Sequence, residues 1–158
     1  MKTINAVFYF YKDKYKVLML FVLICTHVSQ SAFAGETHFL KYYELYKAAE
    51  EGQLSMVEEL LDLGLDLNKT PFNDEPLIHK PINCNYLSPN HVAVMKMLLE
   101  SGADPNLSNH NNKDTALILL GYCKKKTVEI IYMAELLLSY GADAKLVNRN
   151  GHTALRRS

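Results

Sequence analysis

The sequence contains no tryptophan, only three cysteines and five prolines, and no excess of charge of either sign. Three cysteines are too few for the disulfide framework that replaces a core in small secreted domains. Its 17 basic and 17 acidic side chains cancel, so no overall attraction to nucleic acid or anionic lipid is expected. A hydrophobic share of 49% argues against intrinsic disorder. The class that remains is an ordinary globular chain.

The sequence also lacks an apolar run of membrane-spanning length. Its longest run, residues 17–28, falls short of the roughly 20 residues that a helix needs to cross a bilayer. Four lysines precede this run, and residues 32–34 read Ala-Phe-Ala. A basic front, a short apolar run and a small-x-small site are typical of a secretory signal peptide. We expect residues 1–34 to be this signal, cleavage after Ala34, and a periplasmic or secreted product; an uncleaved anchor is the alternative.

Removal of residues 1–34 would change the charge balance. The remaining 124 residues carry 13 basic and 16 acidic groups, a net charge of −3. Residues 35–67 hold −6 of charge and residues 68–158 hold +3. One end of the mature domain is therefore expected to be acidic and the other mildly basic.

Three segments share the pattern L-L-x-x-G-[AL]-D, starting at Leu60, Leu98 and Leu137, at spacings of 38 and 39 residues. Each glycine follows an apolar helical stretch, where a left-handed residue can close the last turn. Apolar residues recur three and four apart before it, so each helix buries one face, and stacked pairs can bury it together. The predicted second helices cover about residues 56–63, 89–101 and 128–140. Their predicted starts are Ser55 with Glu58 as a capping box, Ser88 before a proline, and Thr127.

These segments resemble ankyrin repeats. Residues 102–106 and 141–143 match the family's G-A-D-x-N close, and residues 148–155 resemble its D-x-x-G-x-T-P-L opening, with weaker openings at Asp114 and Glu75. The resemblance implies an all-α solenoid of stacked helix-turn-helix units in a domain of residues 35–158. The implied units cover about residues 39–70, 71–108 and 109–147, with a partial fourth unit at 148–158.

The spacing departs from the usual ankyrin period of about 33 residues. The extra residues predict two extended turns between the paired helices, at 81–87 and 121–126. Loops carry function more often than cores, so these turns are candidates for a binding edge; the alternative is that they are merely solvated.

Cys84 and Cys123 occupy near-equivalent places in neighbouring units. Stacked helical layers lie about 8 to 10 Å apart, beyond the roughly 7 Å between Cα atoms that a disulfide spans. Only loop flexibility would close that gap. A disulfide and two separate thiols both remain open at this point.

No catalytic or metal-binding motif is visible. The histidines are scattered, and the sequence has no H-E-x-x-H, no paired-cysteine metal motif, no G-x-S-x-G and no phosphate-binding glycine loop. We expect no enzyme activity, cofactor or metal, and turn or capping roles for His91 and His152. Asn68 and Asn106 fit glycosylation acceptors, but both coincide with the closing position of a repeat.

The resemblance implies a monomeric module that binds another protein along inner helices and turn tips, with no nucleic-acid or membrane partner. One hypothesis is an exported adaptor or inhibitor, such as an immunity-type protein that blocks a toxin. The other is a structural or stress-protective envelope component whose Cys84–Cys123 pair responds to redox conditions. The residues predicted to contact a partner lie at the turn tips and in the extended turns. They are Asn73, Tyr86, Asn109, His110, Asn111, Lys113, Tyr122, Lys124, Lys125, Arg149 and Asn150.

Overall fold

The computed structural model describes residues 38–72, 74–124 and 127–155. The predicted signal peptide lies outside the described residues, as do Asn73 and Lys125 of the predicted contact set. The chain divides into two compact units, residues 1–40 and 41–158. Only residues 38–40 of the first unit are described, and they are helical. The second unit contains the repeats.

All regular structure in the described residues is helical, apart from an isolated bridge between Ser108 and Thr115. The helices are α1 (38–51), α2 (Leu54–Leu61), a short 3-10 helix (Leu77–His79), α3 (Pro89–Glu100), α4 (Ala116–Tyr122) and α5 (Val128–Ser139). Along the chain, α2 packs against α3, α3 against α5, and α4 against α5. This order of contacts confirms a stack of helix pairs.

The predicted helix boundaries are confirmed for α3 and α5 to within one residue. Ser88 and Thr127 are the N-cap residues, and both have extended backbone angles. The predicted capping box at Ser55 is wrong, because α2 begins at Leu54 with Gln53 as its N-cap. Gly52, at φ +69°, ends α1 so abruptly that the chain re-enters a helix two residues later, which leaves Ser55 inside the first turn.

The second repeat has an unusually short first helix, since only the 3-10 helix Leu77–His79 stands there. Residues 80–88 then form a long loop before α3, as the spacing predicts. The second extended turn begins later than predicted, because residues 121 and 122 complete α4. Gly121 is buried in that helix, and a Cβ there would lie 2.6 Å from the backbone oxygen of Ala154.

The core is a column of aliphatic side chains distributed over all the helices. Each second helix buries residues three or four apart, such as Val57 and Leu60 in α2 and Met133 and Leu137 in α5. The first leucine of each repeated pair, at Leu60, Leu98 and Leu137, is buried between layers, and no single central core forms. Fully buried members include Leu45, Leu77, Ile78, Val94, Met95, Leu98 and Ile118.

Two asparagines connect consecutive repeats. The Asn106 amide nitrogen donates to the Gly141 carbonyl oxygen at 3.0 Å, and its amide oxygen accepts from the Asp143 N–H at 2.7 Å. Asn68 makes the same two hydrogen bonds to Gly102 and Asp104 of the second repeat. The closing asparagine of a repeat thus supports the closing turn of the next repeat. Its side-chain amide is already hydrogen-bonded to that turn, which does not favour glycosylation.

Candidate functional site

A groove of about 680 Å³ lies between α1, the turn around residue 72 and the loop of residues 80–88. The side chains from α1 are spaced three or four residues apart, so they share one face of that helix. The groove has an aromatic floor and a rim that carries charges of both signs. Its lining residues are Tyr43, Tyr46, Lys47, Glu50, Glu51, Phe72, Lys80, Asn83 and Tyr86.

Three aromatic rings make the floor of this groove, and two of them contact the third edge to face. The centroids of Tyr46 and Phe72 are 5.1 Å apart at an interplanar angle of 75°, and those of Tyr43 and Phe72 are 6.1 Å apart at 78°. Tyr46 is buried, whereas Tyr43 is exposed. The buried ring of Tyr46 therefore forms the inner side of the floor, and the exposed ring of Tyr43 forms its accessible side.

Tyr46 holds the turn that carries Phe72. Its hydroxyl lies 3.1 Å from the carbonyl oxygen of Lys69 and 3.0 Å from that of Glu75, and both of these oxygens can only accept. Burial raises the pKa of Tyr46, and the nearby Glu75 carboxylate adds to this effect. The phenol therefore stays protonated and donates across the turn. The Lys80 ammonium lies 5.7 Å from the centre of the same ring, within cation–π range.

The buried ring of His79 connects two turn tips. Its Nδ1 lies 3.0 Å from a carboxylate oxygen of Glu75, and its Nε2 lies 3.1 Å from the carbonyl oxygen of Leu107. The hydrogen bond from His79 lowers the pKa of Glu75, although partial burial of the carboxylate opposes the shift. His79 thus links the turn that carries Phe72 to the turn tip of the next repeat.

His91 positions the 80–88 loop, as its predicted capping role requires. The Ser88 N–H donates to His91 Nδ1 at 3.3 Å, and the Ser88 hydroxyl lies 2.8 Å from the same atom. The other nitrogen, Nε2, lies 3.1 Å from the carbonyl oxygen of Glu50 at the end of α1. Because Nδ1 accepts the Ser88 N–H, the proton on the neutral ring lies on Nε2 and points to Glu50. The exposed ring of Tyr86 rests edge to face on this histidine at 5.9 Å.

Cys84 and Cys123 are joined as a disulfide, with their Cα atoms 4.9 Å apart. The separation of 8 to 10 Å expected from layer spacing is wrong at this position. Cys84 lies on a turn of the 80–88 loop, and Cys123 is the residue at which α4 ends, so neither follows the spacing of packed helices. The link attaches the loop to the third repeat.

Five of the predicted contact residues at the turn tips are exposed. Asn109 differs, since only 9% of it is exposed. Its amide oxygen accepts the N–H groups of Asn112 and Asp114 at 3.1 and 3.2 Å, so its side chain shapes the tip. The exposed residues are His110, Asn111, Lys113, Arg149 and Asn150.

Tyr122 also has an internal role that the sequence does not reveal. Its hydroxyl donates to the Asp114 carboxylate at 2.7 Å and accepts from the Asn148 amide at 2.7 Å. Asn148 donates to the same carboxylate at 2.8 Å. This network connects the third repeat to the partial fourth, and Tyr122, which is partly exposed, stays a predicted contact residue. Tyr86 and Lys124 remain exposed.

Sequence reasoning missed the groove floor. Tyr43 and Tyr46 follow a helical spacing, which is also what a buried helix face shows, and Phe72 is separated from them by a whole helix and a turn. The available signal was a cluster of four aromatic residues, one phenylalanine and three tyrosines, within α1. Among the described residues, no group of three or more histidines, cysteines and carboxylates could hold a metal ion.

No helix within the described ranges is long and apolar enough to cross a membrane.

Comparison with known proteins identifies the repeat type. Residues 82–110 match the family described as ankyrin repeat. An ankyrin repeat protein of fowlpox virus (strain NVSL) is 29% identical over 70% of this chain, which covers 17% of that protein. The ankyrin repeat, SAM and basic leucine zipper domain-containing protein 1 of Dasypus novemcinctus is 33% identical over 65% of this chain and 20% of its own length.

A third relative is an ankyrin repeat protein of Rickettsia felis, 40% identical over 40% of this chain and 27% of that protein. The chain thus spans about a quarter or less of the length of these relatives, and the similarity concerns the repeats. Ankyrin repeats generally mediate protein–protein interactions and are typically not catalytic. With its stacked helix pairs, its positive-φ closing glycines and these matches, the chain is an ankyrin repeat protein.

Proposed function

We propose that this protein is a non-catalytic module that binds a polypeptide segment of a partner protein in the groove formed by α1, the turn at Phe72 and the 80–88 loop. The observation that carries the proposal is an accessible aromatic surface next to charged groups. Tyr43 and Tyr86 line the groove together with Phe72 and are exposed, and 70% of Tyr86 is accessible. Exposed tyrosines supply large contact areas at a low cost in side-chain entropy, so they are frequent anchors of protein interfaces.

The charges around the groove define the kind of segment that fits it. Lys47 and Glu51 form an exposed pair at 3.8 Å, and Lys80 lies above the Tyr46 ring. A segment with an aromatic or aliphatic side chain for the floor and charged groups of both signs at its flanks would match this rim. Exposed turn-tip residues of the later repeats, such as Lys113 and Arg149, are further candidates for contact with the partner.

We further propose that the protein acts outside the cytoplasm as an adaptor or inhibitor, with an immunity-type protein as the sharpest form of this idea. The support is the signal-peptide pattern in residues 1–34. Cell fractionation and sequencing of the mature N-terminus test export. A product that keeps its N-terminal Met1 and stays in the cytoplasm would contradict it.

The test of the groove uses a photo-crosslinking amino acid at position 86 in cells, with the same amino acid at position 132 as control. Tyr132 is also exposed but lies on α5, outside the groove. We expect one partner to crosslink from position 86 and not from position 132. With that partner purified, Tyr43→Ala should weaken binding at least tenfold, while Tyr132→Ala should leave it within twofold.

Equal crosslinking from both positions, or unchanged affinity of a folded Tyr43→Ala variant, would contradict the groove. An immunity-type role also predicts that co-expression of the protein protects cells from a candidate toxin. If the partner binds but no protection is seen, the binding proposal stands and the inhibitor proposal does not.

A second function, a redox-responsive envelope component, is favoured by the exposed position of Cys84 in its disulfide. It predicts a stress phenotype that follows the cysteines. The double variant Cys84→Ser, Cys123→Ser should then reproduce the phenotype of a deletion. A double variant that behaves as wild type under oxidative and reductive stress would remove this alternative.

A further inference from the structure

The 80–88 loop forms one side of the groove beside α1 (the α1 groove) and also contains one half of the disulfide. Asn83 and Tyr86 of this loop line the groove, and Cys84 lies between them in the sequence. Cys84 is joined to Cys123, the residue at which α4 ends. A single covalent bond therefore connects this side of the groove to the third repeat, whereas α1 belongs to the first.

Two backbone N–H groups at the centre of the loop donate within the loop itself. The Asn85 N–H donates to the side-chain oxygen of Asn83 at 3.1 Å, and the Tyr86 N–H donates to the Asn83 carbonyl oxygen at 3.1 Å. These hydrogen bonds shape the turn but do not attach it to a helix. Residues 84–86 are all exposed. The attachment of this turn to α4 is the disulfide.

The two ends of the loop are attached in another way. Ile82 and Leu87 are partly buried and pack against the core, and the Ser88 N–H donates to His91. The edge-to-face contact with His91 covers little of the Tyr86 ring, which stays 70% accessible. Opening of the disulfide would therefore release the centre of the loop, residues 83–86, and leave its ends in place.

The two cysteines differ in accessibility, which determines how the disulfide can be opened. Cys84 is exposed, whereas Cys123 is only 1% exposed. A thiolate in solution therefore approaches from the side of Cys84, and the sulfur of Cys123 is the leaving group. The carbonyl oxygen of Leu119 lies 3.7 Å from Cys123 Sγ, so it can accept a hydrogen bond from the thiol that forms there.

We propose that the Cys84–Cys123 disulfide is a reversible lock on the α1 groove, which a dithiol reductant opens. A thiolate of the dithiol attacks Cys84 Sγ, the S–S bond breaks, and its electron pair leaves on Cys123 Sγ, which takes up a proton. The second thiolate of the reductant then attacks the mixed disulfide and releases Cys84, which is protonated in turn. Two electrons and two protons pass to the protein, and the dithiol becomes a disulfide.

The open form of the lock has a lower affinity for the partner segment. In the disulfide form, Asn83 and Tyr86 are held where they line the groove. In the dithiol form they sample other positions, so binding must order them at a cost in conformational entropy. This regulation rests on the proposed function of the groove, whereas an envelope component with redox-sensitive cysteines needs no partner there.

The first experiment tests the lock on the full chain without a partner. Nitrogen relaxation is measured by NMR before reduction with dithiothreitol, after it, and after reoxidation. We expect the heteronuclear NOE of the Asn85 and Tyr86 amides to fall on reduction and to recover on reoxidation, while that of Tyr132 on α5 stays unchanged. Equal values at both loop residues, in protein that mass spectrometry shows to be reduced, would overturn the proposal even if the groove binds a partner.

The second experiment tests the effect on affinity, with the purified partner that crosslinks from position 86. The double variant Cys84→Ser, Cys123→Ser should bind this partner about fivefold more weakly than the oxidised wild-type protein. Asn106→Ala is the matched control, because it removes hydrogen bonds between repeats but keeps the disulfide, and it should bind within twofold of wild type. Circular dichroism establishes that each variant is folded, and Cys84→Ser, Cys123→Ala replaces the double serine variant if that variant is not.

The outcomes separate the lock from the binding function. Equal affinity of the folded double variant and the oxidised wild-type protein would overturn the lock while the groove remains a binding site. An equal loss of affinity in Asn106→Ala would also overturn it, because general destabilisation would then explain the effect. If no partner crosslinks from position 86, the proposed function fails and the control of affinity fails with it, while the NMR result still decides whether the disulfide orders the loop.

Discussion

Lys113 carries local backbone strain at the tip between the second and third repeats. Its φ is +61°, in the left-handed region, at the place where the fourth unit has Gly151 at φ +70°. A side chain in this conformation costs roughly 1–2 kcal/mol, while glycine loses about 0.5–1 kcal/mol of chain entropy when it is ordered. Lys113 is also one of the exposed tip residues proposed to contact a partner. Strained backbone conformations are often retained at functional sites.

Lys113→Gly should therefore raise the free energy of unfolding by about 0.5–1 kcal/mol, since it removes the strain at a smaller entropic cost. Urea denaturation measures the change. Lys113→Ala is the matched control, because it removes the same charge but keeps a Cβ in the left-handed region. If both variants gain equally, the charge and not the backbone was responsible.

At the scale of elements, the contact between Glu75 and His79 makes the tip structure sensitive to acid. The hydrogen bond from His79 lowers the pKa of Glu75 below its ordinary value of 4.5. A carboxyl group with a lowered pKa in the folded state contributes stability above its unfolded pKa and loses it as the pH falls through the folded pKa. The contribution is therefore complete at neutral pH and fades below about pH 4.5.

Glu75→Gln should flatten the fall in stability below pH 4.5 and lower the stability at pH 7, as followed by thermal melts from pH 3 to pH 7. The control is Glu59→Gln, an exposed carboxylate on α2. An acid dependence that is the same in Glu75→Gln and wild type would show that this contact contributes nothing.

The 80–88 loop is attached to the rest of the protein by His91 at one end and by the disulfide in its middle. The disulfide closes a separation of 39 residues. The chain-entropy relation gives about 3–4 kcal/mol for a loop of this length. The double variant Cys84→Ser, Cys123→Ser should therefore lose stability of this order under oxidising conditions. The stability of the double variant should equal that of the reduced wild-type protein.

Alkylation of the unreduced, unfolded protein followed by mass spectrometry tests the link directly. We expect neither Cys84 nor Cys123 to be labelled, and Cys25 serves as an internal control if it is retained. Label on both residues in freshly purified protein would rule out the disulfide.

For the whole molecule, stability depends on contacts between neighbouring repeats, because no repeat has a core of its own. Asn106 provides two hydrogen bonds across one such boundary. With about 1 kcal/mol for each hydrogen bond, Asn106→Ala should lower the free energy of unfolding by about 2 kcal/mol.

Asn150→Ala is the matched control for this measurement. Its side chain is exposed at the next tip, so the expected change is less than about 0.5 kcal/mol. If the two variants lose the same amount in urea denaturation, the connection through Asn106 is not what holds the repeats together.

Local sequence patterns determined the repeat architecture, because each depends on residues only a few positions apart. The closing glycines adopt positive φ, Ser88 and Thr127 cap their helices, and the first leucine of each repeated pair is buried between layers. The one predicted cap that was wrong, at Ser55, lies where Gly52 brings two helices so close together that the second begins early. These signals were also sufficient to identify the family.

The candidate sites were decided only by tertiary structure, because they combine segments that are distant in sequence. Phe72 meets Tyr43 and Tyr46 across a repeat, and Cys84 meets Cys123 where a turn and a helix end depart from layer spacing. The same reason explains why Leu99 and Leu138, which share one sequence pattern, differ in exposure. The pattern determines which side of a helix is apolar, and only the neighbouring layer determines whether that side is covered.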